Sequence, residues 1–233
     1  MDKEEVSEKF NRQIALWGIE HQDILMNSRI CFLGSSLLIF EIAKGLLLSG
    51  ICNFLFVDNK RVSVNDVKYF LFSTNSSNEK NEYKCELIKN SLENIYNNVK
   101  AECVIANPLS HFCEYILQDE YYNIIICNLQ IKENLKIEKL CKQNNKKVIT
   151  CDCSSMLGYI NICIKDHIYI NRDNRDNSDN NKKHTFYYYF NVSLSIYNEL
   201  KNYIYKLDYS FFDVNNATNK ILFLIKCYDN FIT

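Results

Sequence analysis

Two short stretches of this 233-residue chain carry the residue types that bind a nucleotide. The apolar run 29–33 ends at Gly34, and a second apolar run, 53–57, ends at Asp58. A glycine between a strand and a helix lets backbone N–H groups approach a phosphate. An acidic residue at the end of the next strand can accept hydrogen bonds from the hydroxyl groups of a ribose. This arrangement is typical of ATP and dinucleotide sites.

The glycine turn departs from the usual pattern of three glycines. Gly34 is the only one present, and Leu38 and Ile39 place bulky side chains where phosphate or close helix packing is expected. Two interpretations therefore stay open for each residue. Gly34 begins either a degenerate phosphate loop or an ordinary strand-to-helix turn, and Asp58 either binds a ribose or caps the end of its strand.

Eleven cysteines raise the question of a metal site, a disulfide framework or a thiol nucleophile. Cys151 and Cys153 form a Cys-x-Cys pair, and the sequence has no second pair of cysteines that would complete a metal site. The spacing therefore predicts no metal site. Most other cysteines lie inside apolar runs, where a free thiol behaves as a small hydrophobic group. We expect reduced, structural cysteines, and Cys151 and Cys153 are the two worth testing for a thiolate role.

Charge and hydropathy argue against several classes of partner. The net charge of −1 gives no electrostatic footprint for nucleic acid or an acidic membrane. No apolar run approaches the roughly 20 residues that span a bilayer. Residues 1–8 are acidic and polar, unlike a secretory signal. We expect an intracellular protein of the nucleus or cytoplasm.

Strand and helix patterns alternate through the first two-thirds of the chain, which predicts an α/β fold with a Rossmann-like, mostly parallel sheet and flanking helices. Short apolar runs predict the strands, and apolar residues at helical spacing predict the helices. The predicted strands are 29–33, 53–57, 101–105, 123–127 and 147–151, and the predicted helices are 37–49, 79–97 and 131–143.

The pattern changes after Asp152. Residues 158–164 and 167–170 have no helix between them, so we expect them to pair antiparallel. We divide the chain into a Rossmann-like domain (1–170), a disordered Asn/Asp-rich loop (171–183) and a C-terminal part of the same fold (184–233). That last part is predicted to hold a strand at 186–192 and helices at 196–207 and 219–231.

The N-terminal segment 10–18 holds Arg12 and the chain's only tryptophan, Trp17. From its residue type alone, Arg12 is either a surface residue that caps or pairs, or a cation that stabilises a phosphate. We expect Trp17 to pack this segment against the domain.

The motif Arg12-Gln13-Ile14-x-Leu16-Trp17-Gly18 resembles the opening of the E1 enzymes, which activate ubiquitin-like proteins and belong to the ThiF superfamily. The resemblance continues through 41–51 and 57–58 to about residue 170. It implies an adenylation-type fold for residues 1–170. It is strongest to the regulatory, non-cysteine subunits of two-chain E1s.

In active members of that superfamily, a second Asp and an Asn-x-Asn-Arg-Gln run follow the second strand and bind ATP. Here Lys60 replaces that Asp, and residues 65–69 do not match the run. The resemblance therefore implies that this chain carries no cofactor of its own, and that Gly34 and Asp58 are vestigial. ATP and Mg would be bound by a partner subunit, whose ATP phosphates Arg12 would reach in trans.

The implied partner is a cysteine-bearing catalytic E1 subunit, with a ubiquitin-like modifier contacted indirectly. None of the cysteines matches the family's catalytic cysteine, so we expect a non-catalytic subunit. Residues 41–44 and the short chain favour the SUMO type, and residues 158–167 resemble the NEDD8 type. An autonomous adenylating ThiF-like enzyme is a further alternative. A nicotinamide-dependent oxidoreductase would need the glycines that are missing here.

Overall fold

The computed structural model describes residues 8–63, 66, 82–154, 157–164, 167–170, 185–188 and 206. Within them, the strands are β1 Arg29–Leu33, β2 Asn53–Val57, β3 Lys100–Val104, β4 Ile124–Cys127, β5 Val148–Ser154, β6 Leu157–Cys163, β7 His167–Ile170 and β8 Thr185–Tyr188. The helices are α1 Asn11–Trp17, α2 Ile19–Asn27, α3 Leu37–Leu48, α4 Lys84–Ile95, α5 Pro108–His111 and α6 Ile131–Gln143. A π-helical turn, Phe112–Ile116, continues α5.

Six strands form the main sheet, in the order β3-β2-β1-β4-β5-β6. Strands β1 to β5 pair in parallel throughout. The order reverses direction between β1 and β4. In open α/β sheets, ligands bind at the carboxyl ends of the strands beside such a reversal. The predicted Rossmann-like α/β fold is confirmed.

Both faces of the sheet are covered, which is why its central strands are apolar at nearly every position. One face packs against α3 and α4, and Phe32 and Phe56 stack there with ring centroids 4.9 Å apart. The other face packs against α6 and the π-helical turn, around Leu33 and Phe112. These two layers hold the carboxyl ends of the strands in fixed positions.

One predicted strand pairing is wrong. Strand β7 pairs antiparallel with β8, and β6 instead lies beside β5 at the edge of the main sheet. Only two residues separate β5 from β6, too few for a crossover, so β6 must fold back on β5. Alternating hydropathy identifies a strand without naming its partner, which explains the error.

The predicted loop 171–183 and the predicted helix 219–231 lie outside the described residues, and of the predicted helix 196–207 only Lys206 is described. The chain divides into two compact units. One comprises Met1–Cys153 with Gly158–Cys163, and the other comprises Ser154–Leu157 with Ile164–Thr233. The three-part division at residues 170 and 183 stays a prediction. Among the described helices, none has the length and apolar character that a bilayer crossing requires.

Candidate functional site

The turn after β1 depends on Gly34, for a reason internal to the fold. Gly34 has φ +93°, and a Cβ added there would lie 2.4 Å from the carbonyl oxygen of Asn128. The Gly34 N–H donates to the carbonyl of Val57 (3.0 Å), and the Asn128 N–H donates to that of Leu33 (2.9 Å). The ends of β1, β2 and β4 are thus tied together across this residue. The close approach requires a glycine whether or not a phosphate binds.

A side chain of the protein itself caps the start of α3. The Ser36 hydroxyl accepts a hydrogen bond from the Ile39 N–H (3.3 Å), which is a standard N-cap. The Ile39 side chain is fully buried in the core. A position where a phosphate loop would carry glycine therefore holds a packing residue.

Asp58 lies at the end of β2 and is fully buried. Its Oδ1 accepts a hydrogen bond from the Lys60 N–H (3.1 Å), so the carboxylate caps the turn that follows. Its Oδ2 and the Oγ of buried Ser35 have no hydrogen-bond partner among the described residues. Buried polar atoms are normally hydrogen-bonded, so each of these two atoms has unused hydrogen-bonding capacity.

These residues do not fit an ATP molecule as they stand. The carboxylate that would accept ribose hydroxyls is shielded from solvent, and the helix that would face the triphosphate is capped by Ser36. Lys60, in the position of the family's second Asp, is exposed. Of the 65–69 segment, only Asp66 is described.

The segment after Asp58 folds back against the start of α4. Arg61 and Tyr83 form an isolated antiparallel bridge, and the Lys84 N–H donates to the carbonyl of Lys60 (3.0 Å). The Cys85 thiol donates to the carbonyl of Asp58 (3.4 Å). The start of α4 and Asp58, distant in sequence, are therefore close neighbours at the carboxyl end of β2.

A hydrogen-bonded network joins the end of β4, strands β5 and β6, and helix α6. The Asn128 amide donates to the Cys151 carbonyl (2.9 Å), and the Asn134 amide donates to the Tyr159 hydroxyl (2.8 Å). Buried Glu138 accepts hydrogen bonds from Thr150 and from Asn161. Burial raises the pKa of Tyr159 to about 12, so this hydroxyl stays protonated at neutral pH. The network orders this edge of the sheet.

The two cysteines singled out above differ in exposure. Cys151 is buried, which raises its pKa to about 11 and disfavours a thiolate at neutral pH. Cys153 is exposed. Within the described ranges, no group of three or more His, Cys, Asp or Glu side chains could hold a metal ion.

The N-terminal helices are tied to the end of α3. The indole N–H of Trp17 donates to Oε1 of buried Gln22 (3.1 Å), and Nε2 of Gln22 donates to the carbonyl of Ser49 (3.0 Å). Gly50 has φ +108°, and a Cβ there would lie 2.7 Å from Nε2 of Gln22. The anchoring role expected of Trp17 therefore depends on Gln22, whose role the sequence did not reveal.

Arg12 lies at the opposite end of the sheet from Gly34 and Asp58. Phe10 reaches Gly50 just past the end of α3, and the Lys9 ammonium lies 3.6 Å from the ring centroid of Tyr96, just past the end of α4. Both helices are crossovers between parallel strands, so these ends lie at the amino end of the sheet. Arg12 is exposed and forms no ion pair with any described residue. The structure does not bring the three predicted site residues together.

Comparison with known proteins identifies the family to which the chain belongs. The model of the ThiF family matches residues 10–192. The chain belongs to the ThiF family. SUMO-activating enzyme subunit 1 from Rattus norvegicus is 28% identical over 174 residues, which cover 74% of this chain and 48% of the relative. The Homo sapiens protein of the same name is 27% identical over 174 residues, covering 74% and 49%.

Relatives of a second group are named as regulatory subunits of the NEDD8-activating enzyme E1. The NEDD8-activating enzyme E1 regulatory subunit from Gallus gallus is 28% identical over 167 residues, which cover 69% of this chain and 30% of the relative. The chain thus spans about half the length of its SUMO-type relatives and less of the NEDD8-type one. The similarity to E1 regulatory subunits agrees with the resemblance seen in the sequence.

Proposed function

We propose that this ThiF-family chain is a non-catalytic regulatory subunit of a two-chain E1. In this role it supports the ATP-dependent adenylation of a ubiquitin-like modifier by a cysteine-bearing partner subunit. The names of the relatives in both groups support this class. The SUMO pathway is favoured, because six of the relatives, at 26–28% identity, are SUMO-activating enzyme subunits.

The position of Arg12 is the observation that carries the proposal. A five-residue strand separates the two ends of the sheet by roughly 16 Å, and Arg12 lies at the end away from Gly34 and Asp58. Its guanidinium is permanently charged and exposed. A cation so placed cannot serve this chain's own turn, but it is free to stabilise phosphate charge bound by another chain.

The surface around Arg12 suits contact with a partner. Leu16 follows Arg12 by one helical turn on the same face of α1, and 78% of its surface is exposed. Ala15, on the adjoining part of that face, is also exposed. Arg12 forms no ion pair with any described residue, and an apolar side chain beside such a cation is the composition expected of a docking surface that presents Arg12 to a partner.

ATP and Mg would belong to the partner under this proposal. The capped start of α3 argues against a triphosphate on this chain, and the shielded carboxylate of Asp58 argues against a ribose there. Arg12 would contribute only a fixed positive charge. The hydrogen bonds from Trp17 to Gln22 and from Gln22 to the Ser49 carbonyl hold its helix in place.

Two other functions compete with this one. The NEDD8-type regulatory role predicts the same partner class and differs only in the modifier, so the modifier that the complex activates separates the two. An autonomous adenylating enzyme predicts ATP–pyrophosphate exchange by this chain alone. The poor fit of its turn to ATP argues against that alternative.

The first test is ATP–pyrophosphate exchange. We expect none from the isolated chain with any ubiquitin-like modifier. We expect exchange once the chain is combined with a cysteine-bearing subunit that has an intact Gly-x-Gly-x-x-Gly loop and is recovered by affinity purification from native extract. Exchange by the isolated chain would contradict the proposal. The modifier captured as a thioester on the partner would identify the pathway.

A further inference from the structure

Two cysteines from different elements meet near the end of β2. Cys85 lies in the first turn of α4, and Cys103, 18 positions later, lies in β3 at the edge of the sheet. The Cys103 thiol donates to the Cys85 carbonyl (3.2 Å), and the Cys85 thiol donates to the Asp58 carbonyl (3.4 Å). The two thiols are also within hydrogen-bonding reach of each other. The fold therefore places two free thiols side by side.

Cys85 is the more nucleophilic member of this pair. The hydrogen bond from the Cys103 thiol lowers the pKa of Cys85 and outweighs the effect of burial, and the backbone N–H of Glu86 lowers it further. The first turn of a helix favours a thiolate, because its N–H groups are free to face an anion. The thiolate is the form of cysteine that attacks an oxidant.

Cys103 opens the pair to solvent. Cys85 is fully buried, whereas Cys103 is only partly buried. Strand β3 is paired on one side only, with β2, so its other edge is not covered by a neighbouring strand of the main sheet. A molecule as small as hydrogen peroxide can approach the two sulfur atoms from this edge.

A second pair of cysteines offers a comparison within the same sheet. The Cys151 thiol donates to the Cys127 carbonyl (3.7 Å), much as the Cys103 thiol donates to that of Cys85. Both Cys127 and Cys151 are buried, and burial raises the pKa of each thiol. The Cys85–Cys103 pair therefore differs from this one in having a partly exposed member and a thiol that ionises more readily.

We propose that Cys85 and Cys103 form a redox-active dithiol, which peroxide-class oxidants convert to a disulfide that links the start of α4 to β3. This goes beyond the proposed regulatory role, because it uses neither Arg12 nor a partner subunit. The disulfide removes the thiol hydrogen that Cys85 donates to the Asp58 carbonyl. Oxidation therefore changes the contacts of the turn that follows β2.

The chemistry balances with hydrogen peroxide as the oxidant. The Cys85 thiolate attacks one peroxide oxygen, the O–O bond breaks, and the departing hydroxide takes a proton from solvent to give water. Cys85 is left as a sulfenic acid. The Cys103 sulfur then attacks the Cys85 sulfur, loses its proton and displaces the hydroxyl group as a second water. Two thiols are oxidised by two electrons, and one peroxide is reduced to two waters.

The test treats the reduced full chain with hydrogen peroxide, blocks the remaining thiols with iodoacetamide and maps the peptides by mass spectrometry without reduction. We expect two peptides joined through Cys85 and Cys103, with the loss of two hydrogens, and we expect dithiothreitol to separate them again. This link should form at least about tenfold faster than any link between Cys127 and Cys151, because it has the thiolate and the exposed sulfur.

Two variants separate this pair from general thiol oxidation. Cys103→Ser keeps a donor for the Cys85 carbonyl but removes one sulfur, so we expect no disulfide at Cys85. Cys113→Ser is the matched control, since Cys113 is an exposed cysteine of the π-helical turn. The Cys85–Cys103 link should form in this variant at the wild-type rate.

The proposal is overturned if peroxide oxidises the exposed cysteines of the folded wild-type chain, with its circular dichroism spectrum unchanged, without joining Cys85 to Cys103. A Cys127–Cys151 link that forms equally fast would also overturn it. Both results come from the wild-type chain, so they decide even if Cys103→Ser does not fold. Since no partner subunit takes part, failure here leaves the E1 proposal standing.

Discussion

At the end of β1, Gly34 lies so close to the carbonyl oxygen of Asn128 that no side chain fits between them. The glycine that suggested a phosphate loop is therefore explained by the packing of β1 against β4. Asp58 also has a structural role, because its Oδ1 accepts a hydrogen bond from the Lys60 N–H and caps that turn. Its Oδ2 lacks a partner among the described residues. At the scale of single residues, the chain keeps two residue types of a nucleotide site, Gly34 and Asp58, but both make contacts that stabilise the fold.

We predict that Gly34→Ala lowers the free energy of unfolding by about 2 kcal/mol or more, because the new Cβ both clashes with Asn128 and forces an L residue into a left-handed conformation. Urea denaturation measures the change. Gly45→Ala is the matched control, since a Cβ there meets nothing within 4 Å. It should leave stability unchanged or raise it by about 0.5–1 kcal/mol. Equal stability of the two variants would refute the close approach.

The elements that position Arg12 are α1 and α2, which have few buried residues of their own. Their attachment depends on Gln22, which bridges Trp17 on α1 and the carbonyl of Ser49 at the end of α3. Gly50 leaves room for the Gln22 amide. The presentation of Arg12 is therefore coupled to the packing of one buried amide.

We predict that Gln22→Ala destabilises the chain by about 1–3 kcal/mol, because the Ser49 carbonyl and the Trp17 indole both lose a partner. Trp17 is the only tryptophan, so its fluorescence reports on this site directly and should shift with the substitution. Glu20→Ala, on the exposed side of the same helix, should change stability by less than about 0.5 kcal/mol. If Gln22→Ala left both the Trp17 fluorescence spectrum and the stability unchanged, the hydrogen bonds from Trp17 through Gln22 to Ser49 would be absent.

The central strands were predictable from sequence because apolar runs in a parallel sheet are buried on both faces. β1 and β2 match their predicted bounds, and β3 to β5 shift by one to three residues. Helix α5 was missed, although Asn107 as N-cap and Pro108 at the first turn are its signal. The helix is only four residues long, so it has no hydrophobic period to detect.

The candidate site was less predictable than the fold. Gly34, Asp58 and Arg12 stood out by residue type, but their separation to two ends of the sheet follows from the topology. The contact between Asp66 and Lys84 joins residues 18 positions apart through the bridge of Arg61 with Tyr83, and no local pattern signals it. The partners of a side chain depend on which strands and helices meet, which residue spacing does not reveal.

At the scale of the compact unit built on the main sheet, the two ends differ in character. The carboxyl end carries a capped helix start, a shielded Asp58 and a cation already neutralised by Asp66. The amino end carries an exposed Arg12 beside an exposed Leu16. A domain arranged in this way is poorly suited to adenylate a substrate alone and well suited to assist another chain, as we propose.

The rate of ATP–pyrophosphate exchange by the reconstituted two-chain complex, with wild-type chain and with Arg12→Ala, tests the central claim most directly. We predict a fall of about a hundredfold or more in Arg12→Ala, because fixed charge on the phosphates is lost. The complex should still elute intact by size-exclusion chromatography. Lys132→Ala, which removes an exposed cation from α6, should exchange at the wild-type rate. An Arg12→Ala complex that assembles and exchanges as fast as wild type would contradict the account.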